Sequence, residues 1–185
     1  MIGEQFDYTL TVTNNGTVEA GMSSVGIYSK SGTVNQNGQI KTGSNGTGIY
    51  ADGATVNLTA GSVLETGTGN GVGVYALNGA AVVNNGTTIT GNESYGYALK
   101  SGADLTNNAA AVLGESAVLV YADGAGTVIN NGNISMTGSN NVGIYSENGG
   151  TIVNSALITG VTGQANMGIY NHGGSINNTG NISVG

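Results

Sequence analysis

Apolar and polar positions along this chain alternate in short bursts, and the bursts recur at a nearly fixed interval. A Gly-Ile-Tyr triplet or close variant stands at Gly26-Ile27-Tyr28, Gly48-Ile49-Tyr50, Gly73-Val74-Tyr75, Gly96-Tyr97-Ala98, Leu119-Val120-Tyr121, Gly143-Ile144-Tyr145 and Gly168-Ile169-Tyr170. Successive spacings are 22, 25, 23, 23, 24 and 25 residues. A second motif accompanies each triplet: Val12-Thr13-Asn14-Asn15-Gly16, Val34-Asn35-Gln36-Asn37-Gly38, Val82-Val83-Asn84-Asn85-Gly86, Leu105-Thr106-Asn107-Asn108, Val128-Ile129-Asn130-Asn131-Gly132, Ile152-Val153-Asn154-Ser155 and Ile176-Asn177-Asn178-Thr179-Gly180. The copy at Val56-Asn57-Leu58-Thr59 is degenerate. Each unit holds three short β-prone segments, as in Val142-Gly143-Ile144-Tyr145, Thr151-Ile152-Val153-Asn154 and Leu157-Ile158-Thr159, with Gly, Asn and Ser between them. Gly reaches positive φ at little cost and Asn tolerates it, so these residues read as corners. Segments this short leave no room for a helix.

Successive strand side chains point to opposite faces. That alternation predicts inward pairs at Val25 with Ile27, Val72 with Val74, Val118 with Val120, Val142 with Ile144, and Met167 with Ile169. The second segment adds Val34, Val56, Val82, Leu105, Val128, Ile152 and Ile176; the third adds Ile40, Val63, Ile89, Val112, Ile134, Ile158 and Ile182. One unit cannot bury these side chains alone, whereas stacked units can. The expected fold is all-β: a right-handed parallel β-helix (β-solenoid) of about eight three-strand coils of 22–26 residues. Residues 1–185 are expected to form a single solenoid, with residues 1–24 a partial N-terminal coil. At roughly 4.8 Å per strand spacing, eight coils make a rod about 40 Å long.

Composition changes the picture by exclusion. Only 7% of residues are charged, against about 25% in ordinary domains. No apolar run is long enough for a transmembrane helix, and the regular Val, Ile and Thr positions argue against disorder. The formal net charge is -7, with three Lys and no Arg. Nucleic acid, whose phosphates require a basic stripe, is therefore not an expected partner. Cys is absent, which removes disulfides and thiolate metal sites. Met1-Ile2-Gly3-Glu4 lacks the pattern of a secretion signal, and the sequence stops within a unit at Ile182-Ser183-Val184-Gly185. The expectation is a fragment of a longer chain.

In a solenoid, equivalent positions form ladders along the rod, and candidate chemistry should lie there. One ladder is aromatic: Tyr28, Tyr50, Tyr75, Tyr121, Tyr145 and Tyr170, broken by Ala98. Each Tyr follows an inward residue and should face out, where stacked rings would support the fold and offer an amphipathic contact strip. A second ladder is polar: Asn14, Gln36, Asn84, Asn107, Asn130, Asn154 and Asn178, interrupted by Leu58. Amides in register can hydrogen-bond along the stack, a structural role.

A third ladder holds Lys30, Asp52, Leu77, Lys100, Asp123, Glu147 and His172. Opposite charges meet at Lys30–Asp52 and Lys100–Asp123. The Asp123–Glu147 pair could bind a cation or share a proton, but a solvated edge explains it more simply.

Catalysis on polysaccharides needs carboxylates gathered in one cleft, and the 10 acidic residues are spread over the whole chain. His172 is the single His, too few for a triad or a His-rich metal site. The calcium nonapeptide Gly-Gly-x-Gly-x-Asp is missing. Asn-x-Ser/Thr triplets at Asn57, Asn92 and Asn133 are too short a pattern to carry weight by themselves. An ice-binding face would need aligned Thr pairs. Thr9, Thr11 and Thr13 form one row, with no continuation expected. Neither enzyme activity nor a cofactor is expected.

The Gly-Ile-Tyr-Ser/Ala…Gly-x-x-Val-x-Asn-Asn-Gly-x-Ile units resemble the passenger repeats of large bacterial autotransporters, most closely those of the fusobacterial outer-membrane adhesins. The resemblance covers nearly the whole chain. It implies a secreted, cell-surface β-helical passenger, anchored in the outer membrane through a C-terminal barrel that this sequence lacks. It implies partners among host-cell or bacterial surface glycans and proteins. On this reading the chain is a structural or adhesive rod segment, its exposed coil ends open to self-association. The alternatives are a carbohydrate-active β-helix enzyme fragment and a pure spacer stalk.

Overall fold

The computed structural model describes residues 10–162 and 164–185. Residues 1–9, including Thr9 and the start of the expected partial coil, lie outside the described residues. The chain winds as a β-solenoid with three strands per coil, and every strand pairs in parallel with its equivalents one coil away. The Asn sheet stacks Thr11–Asn14, Thr33–Gln36, Thr55–Leu58, Ala81–Asn84, Asp104–Asn107, Thr127–Asn130, Thr151–Asn154 and Ser175–Asn178. The closing sheet stacks Thr17–Ala20, Gln39–Thr42, Val63–Thr66, Thr87–Thr90, Ala111–Leu113, Ile134–Met136, Ile158–Gly160 and Ile182–Ser183. The Tyr sheet stacks Val25–Lys30, Thr47–Asp52, Val72–Leu77, Tyr95–Lys100, Val118–Asp123, Val142–Glu147 and Met167–His172. Between them runs one apolar core.

The Asn sheet follows the expected alternation. Val34, Val56, Val82, Leu105, Val128 and Ile152 are buried in one column. Ile176 continues that column but is partly exposed in the last coil, where stacking covers one side only.

The Tyr sheet corrects the expectation. Val25 and Met167 are exposed, and Val72, Val118 and Val142 lie half-buried on the outer surface. In the central coils, alternation breaks at the glycine, so that two consecutive residues face inward, as at Gly48-Ile49, Gly73-Val74 and Gly143-Ile144. Buried Ala51, Ala76, Leu99, Ala122 and Ser146 follow two residues after the Ile or Val column. Close approach explains the glycine. A Cβ at Gly73 would stand 2.6 Å from the Gly96 carbonyl oxygen and 2.8 Å from the Leu64 side chain. One coil replaces this glycine with buried Leu119. The facing closing-sheet column there supplies Ala111, where other coils place Ile40, Leu64 or Ile134. The volumes compensate across the core, as dense packing requires.

The closing sheet corrects three further positions. Val63, Ile89 and Val112 face outward, and Leu64, Thr88, Ala111 and Leu113 are buried instead. Ile89 and Val112 fall in register with Glu65 and Ser135. The corner sets this phase. The inward column Val18, Ile40, Leu64, Thr88, Ala111, Ile134, Ile158, Ile182 begins four residues after the Asn-ladder position in every coil except that of Leu58, where a corner two residues longer brings Leu64 into line. A slip of one residue would flip every side chain and break parallel pairing with both neighbours, so the corner outweighs local hydrophobicity. Thr88 is kept in the core by polar partners: its Oγ1 lies 2.7 Å from the hydroxyl of fully buried Tyr97 and 3.4 Å from Asn84 Nδ2.

Candidate functional site

Each Tyr of the aromatic ladder occupies the position between two inward residues, so its ring stands on the outer face of the Tyr sheet. Register aligns Tyr28, Tyr50 and Tyr75, then Ala98, then Tyr121, Tyr145 and Tyr170. The rings stack at centroid separations of 5.4 Å (Tyr28–Tyr50), 5.1 Å (Tyr50–Tyr75), 5.5 Å (Tyr121–Tyr145) and 4.7 Å (Tyr145–Tyr170). Interplanar angles of 12° to 29° make these offset stacks, the arrangement aromatic quadrupoles favour. Tyr50, Tyr75, Tyr121 and Tyr145 are half-buried by their neighbours, and Tyr28 in the first full coil is 60% exposed.

The charged ladder borders the rings. Lys100 Nζ lies 3.2 Å from Asp123 Oδ2, the ion pair among the described residues. Lys30 and Asp52 share the register but do not form such a pair. The two acids expected to act together do not converge on a shared ligand. Asp123 accepts from Asn148 Nδ2 at 2.7 Å and from Lys100, and these bonds hold its carboxyl below the usual carboxylate range. Glu147 turns to the rings, accepting from the Tyr121 hydroxyl at 2.5 Å and the Tyr145 hydroxyl at 3.3 Å. The Glu147 hydrogen bond, helped by burial and the neighbouring carboxylates, holds the Tyr121 phenol well above its usual range. His172 pairs in register with Glu147. No cluster of three or more potential metal ligands occurs among the described residues.

The Asn ladder is buried at Gln36, Asn84, Asn107, Asn130 and Asn154, half-buried at Asn14 and exposed at Asn178 in the last coil, and it is continuous on either side of Leu58. Nδ2 of each residue donates to the next coil: Asn84 to Asn107 at 2.7 Å, Asn107 to Asn130 at 2.8 Å, Asn130 to Asn154 at 2.7 Å and Asn154 to Asn178 at 2.7 Å. Asn14 donates to Gln36 Oε1 at 2.8 Å. The interruption has a visible consequence: Gln36 Nε2, which would donate to residue 58, is buried without a hydrogen-bond partner.

Several features were not anticipated. The second Asn of each doublet builds an outer ladder, running Asn37 to Asn15, Asn108 to Asn85 and Asn131 to Asn108 at 2.8–3.0 Å, donating in the opposite direction to the inner one. The doublet itself was the signal. Asn78 and Asn148 sit at positive φ and clamp Asp52 and Asp123 of the preceding coil, each at 2.7 Å. A Thr column does continue, contrary to expectation, through Thr11, Thr33 and Thr55 and again at Thr127 and Thr151. Its neighbouring outward file reads Thr13, Asn35, Asn57, Val83, Thr106, Ile129, Val153 and Asn177, so the Thr pairs that ice binding needs do not recur.

No family model, curated protein or solved structure matches the chain.

Proposed function

We propose that this chain is a non-enzymatic segment of a cell-surface adhesive rod, contacting host-cell or bacterial surface glycans or proteins along its Tyr face. The stacked, partly exposed Tyr column on one face of the rod carries the reading. Tyr combines large apolar area with a polar tip and little side-chain entropy, which suits it to contact surfaces. Repetition along a stiff scaffold lets many weak contacts act together. The repeat resemblance to autotransporter passengers supports the same role and implies a rod outside the outer membrane, tethered through a barrel elsewhere in the parent.

The test is binding of the purified chain to a panel of glycans, host cells and bacteria. Replacing Tyr121, Tyr145 and Tyr170 together by Ser should weaken binding at least about tenfold, the loss of roughly 1.4 kcal/mol. Undiminished binding would remove the Tyr face from the contact. No binding to any target, with adhesion of the parent lost when coils are deleted, would make the segment a spacer. Turnover of an acidic polysaccharide would make it an enzyme.

A further inference from the structure

The break in the aromatic ladder is a built notch. Ala98 stands where every neighbouring coil places a Tyr, and it is buried at the bottom of a cavity of about 200 Å³ lined by Val72, Tyr75, Tyr95, Ala98, Lys100 and Tyr121. Tyr75 and Tyr121 lie two strand spacings apart, roughly 9–10 Å. Neighbouring rings of this column sit 4.7 to 5.5 Å apart, so the gap has the width of one inserted ring stacked on both walls.

The walls are held in place before anything enters. Tyr75 stacks on Tyr50, and Tyr121 stacks on Tyr145 while its hydroxyl is bound by Glu147. Tyr95 closes one flank, its ring edge-on to Tyr121 at 6.1 Å. Lys100 reaches over the Tyr121 ring, its Nζ 5.9 Å from the centroid and anchored by Asp123, so its flexible side chain swings aside as a ring enters. Preorganised walls reduce the ordering cost of binding.

We propose that this notch captures a single aromatic side chain presented by a partner protein. The lining decides between ring types. It is made of ring faces, a methyl and an isopropyl group, with the Lys100 ammonium as the charged group at its rim. A sugar ring would carry several hydroxyls into a site with few polar partners, and unpaired buried hydroxyls are unfavourable. An aromatic ring restores the column that Ala98 interrupts. The inference deepens the adhesive reading of the Tyr face and rests on it for its biological meaning, but ring capture can be measured independently of adhesion.

The chain contains no Trp, so N-acetyl-tryptophanamide is a clean probe, followed by its fluorescence anisotropy and by protein NMR. The expected result is saturable capture with a dissociation constant on the order of millimolar. Resonance shifts should centre on Ala98, Tyr95 and Lys100. Ala98→Tyr and Ala98→Leu, which fill the notch with and without a ring, should each weaken capture at least about tenfold. Tyr28→Ser, far along the column, should leave it unchanged. Absence of saturable capture, shifts spread evenly along all the Tyr residues, or equal loss with Tyr28→Ser would overturn the proposal. Methyl β-glucopyranoside binding as well as or better than the indole probe would overturn the aromatic assignment. Capture without any cell or glycan binding would leave the notch standing and sink adhesion. Adhesion that depends on Tyr145 and Tyr170, without capture, would do the reverse.

Discussion

Asn107 offers the sharpest test of what holds the coils in register. It is fully buried, accepts from Asn84 Nδ2 at 2.7 Å and donates to Asn130 Oδ1 at 2.8 Å. Asn107→Ala deletes both bonds and strands a donor on one side and an acceptor on the other. Leaving a buried polar group unpaired costs about 1–3 kcal/mol, so the two together should cost roughly 2–6 kcal/mol. Asn84 Nδ2 retains a longer contact with Thr88, which places the expectation near the middle, at about 3–4 kcal/mol. Asn108→Ala is the matched control. Asn108 also makes two ladder bonds, to Asn85 and from Asn131, each of 3.0 Å, but it is exposed to water that can replace them. Its loss should cost no more than about 1 kcal/mol. Urea denaturation followed by far-UV circular dichroism measures both. Because each coil contacts only its neighbours, the Asn107→Ala transition should also broaden or split as the two flanking blocks uncouple. Equal destabilisation by the two substitutions would refute the claim that burial, and not the number of hydrogen bonds, gives the inner ladder its weight.

Two further outcomes follow from the same packing. Gly73→Ala should destabilise the chain by about 1–3 kcal/mol, because its Cβ would meet backbone oxygen and the Leu64 side chain, whereas Gly21→Ala, with open space at its Cβ, should be close to neutral in the same melt. The phenol of Tyr121 is held above its usual range, chiefly by its hydrogen bond to Glu147. Its stabilising contribution is therefore complete below the unfolded tyrosine range near pH 10 and is lost as pH rises through the folded value. An absorbance titration at alkaline pH should find one more readily ionised Tyr in Glu147→Ala than in the parent chain; an unchanged titration curve would remove that bond.

The Gly-Ile-Tyr and Asn-Asn spacings made the parallel stack, the Tyr ladder and the inner Asn ladder legible, because in a solenoid equal spacing becomes equal position. Side-chain direction was less legible wherever the backbone departs from strict alternation. The glycine ahead of Ile49 or Val74 turns two successive residues inward, and no pattern of apolar residues announces that break. Val25 and Met167 satisfy period-two alternation and still face water. In the closing sheet, Ile89 and Val112 are the most apolar residues of their strands apart from Leu113, yet the four-residue corner after the Asn ladder directs Thr88 and Ala111 inward. The Asn78 and Asn148 clamps depend on a left-handed backbone at loop positions, a geometry composition permits but does not specify.

The irregular rungs show how one repeat serves two ends. Leu58 and Ala98 each interrupt a ladder once, and the side of the sheet on which they fall decides the result. Leu58 faces the core, where no solvent can replace the lost amide, and the interruption leaves Gln36 Nε2 buried without a partner. Such a break weakens one junction between coils and forms no accessible surface. Ala98 lies beneath the outer face, where deleting a ring subtracts stacking from one coil but opens a recess walled by the rings above and below. The missing aromatic bulk is partly redistributed within the same coil, with Tyr97 turned into the core against Thr88 and Tyr95 set against Tyr121. The coil therefore keeps its packing while giving up the outward ring. A rod of near-identical windings gains a localised feature through departures of this second kind, and on this chain that feature is the recess at Ala98, walled by Tyr75 on one side and Tyr121 on the other.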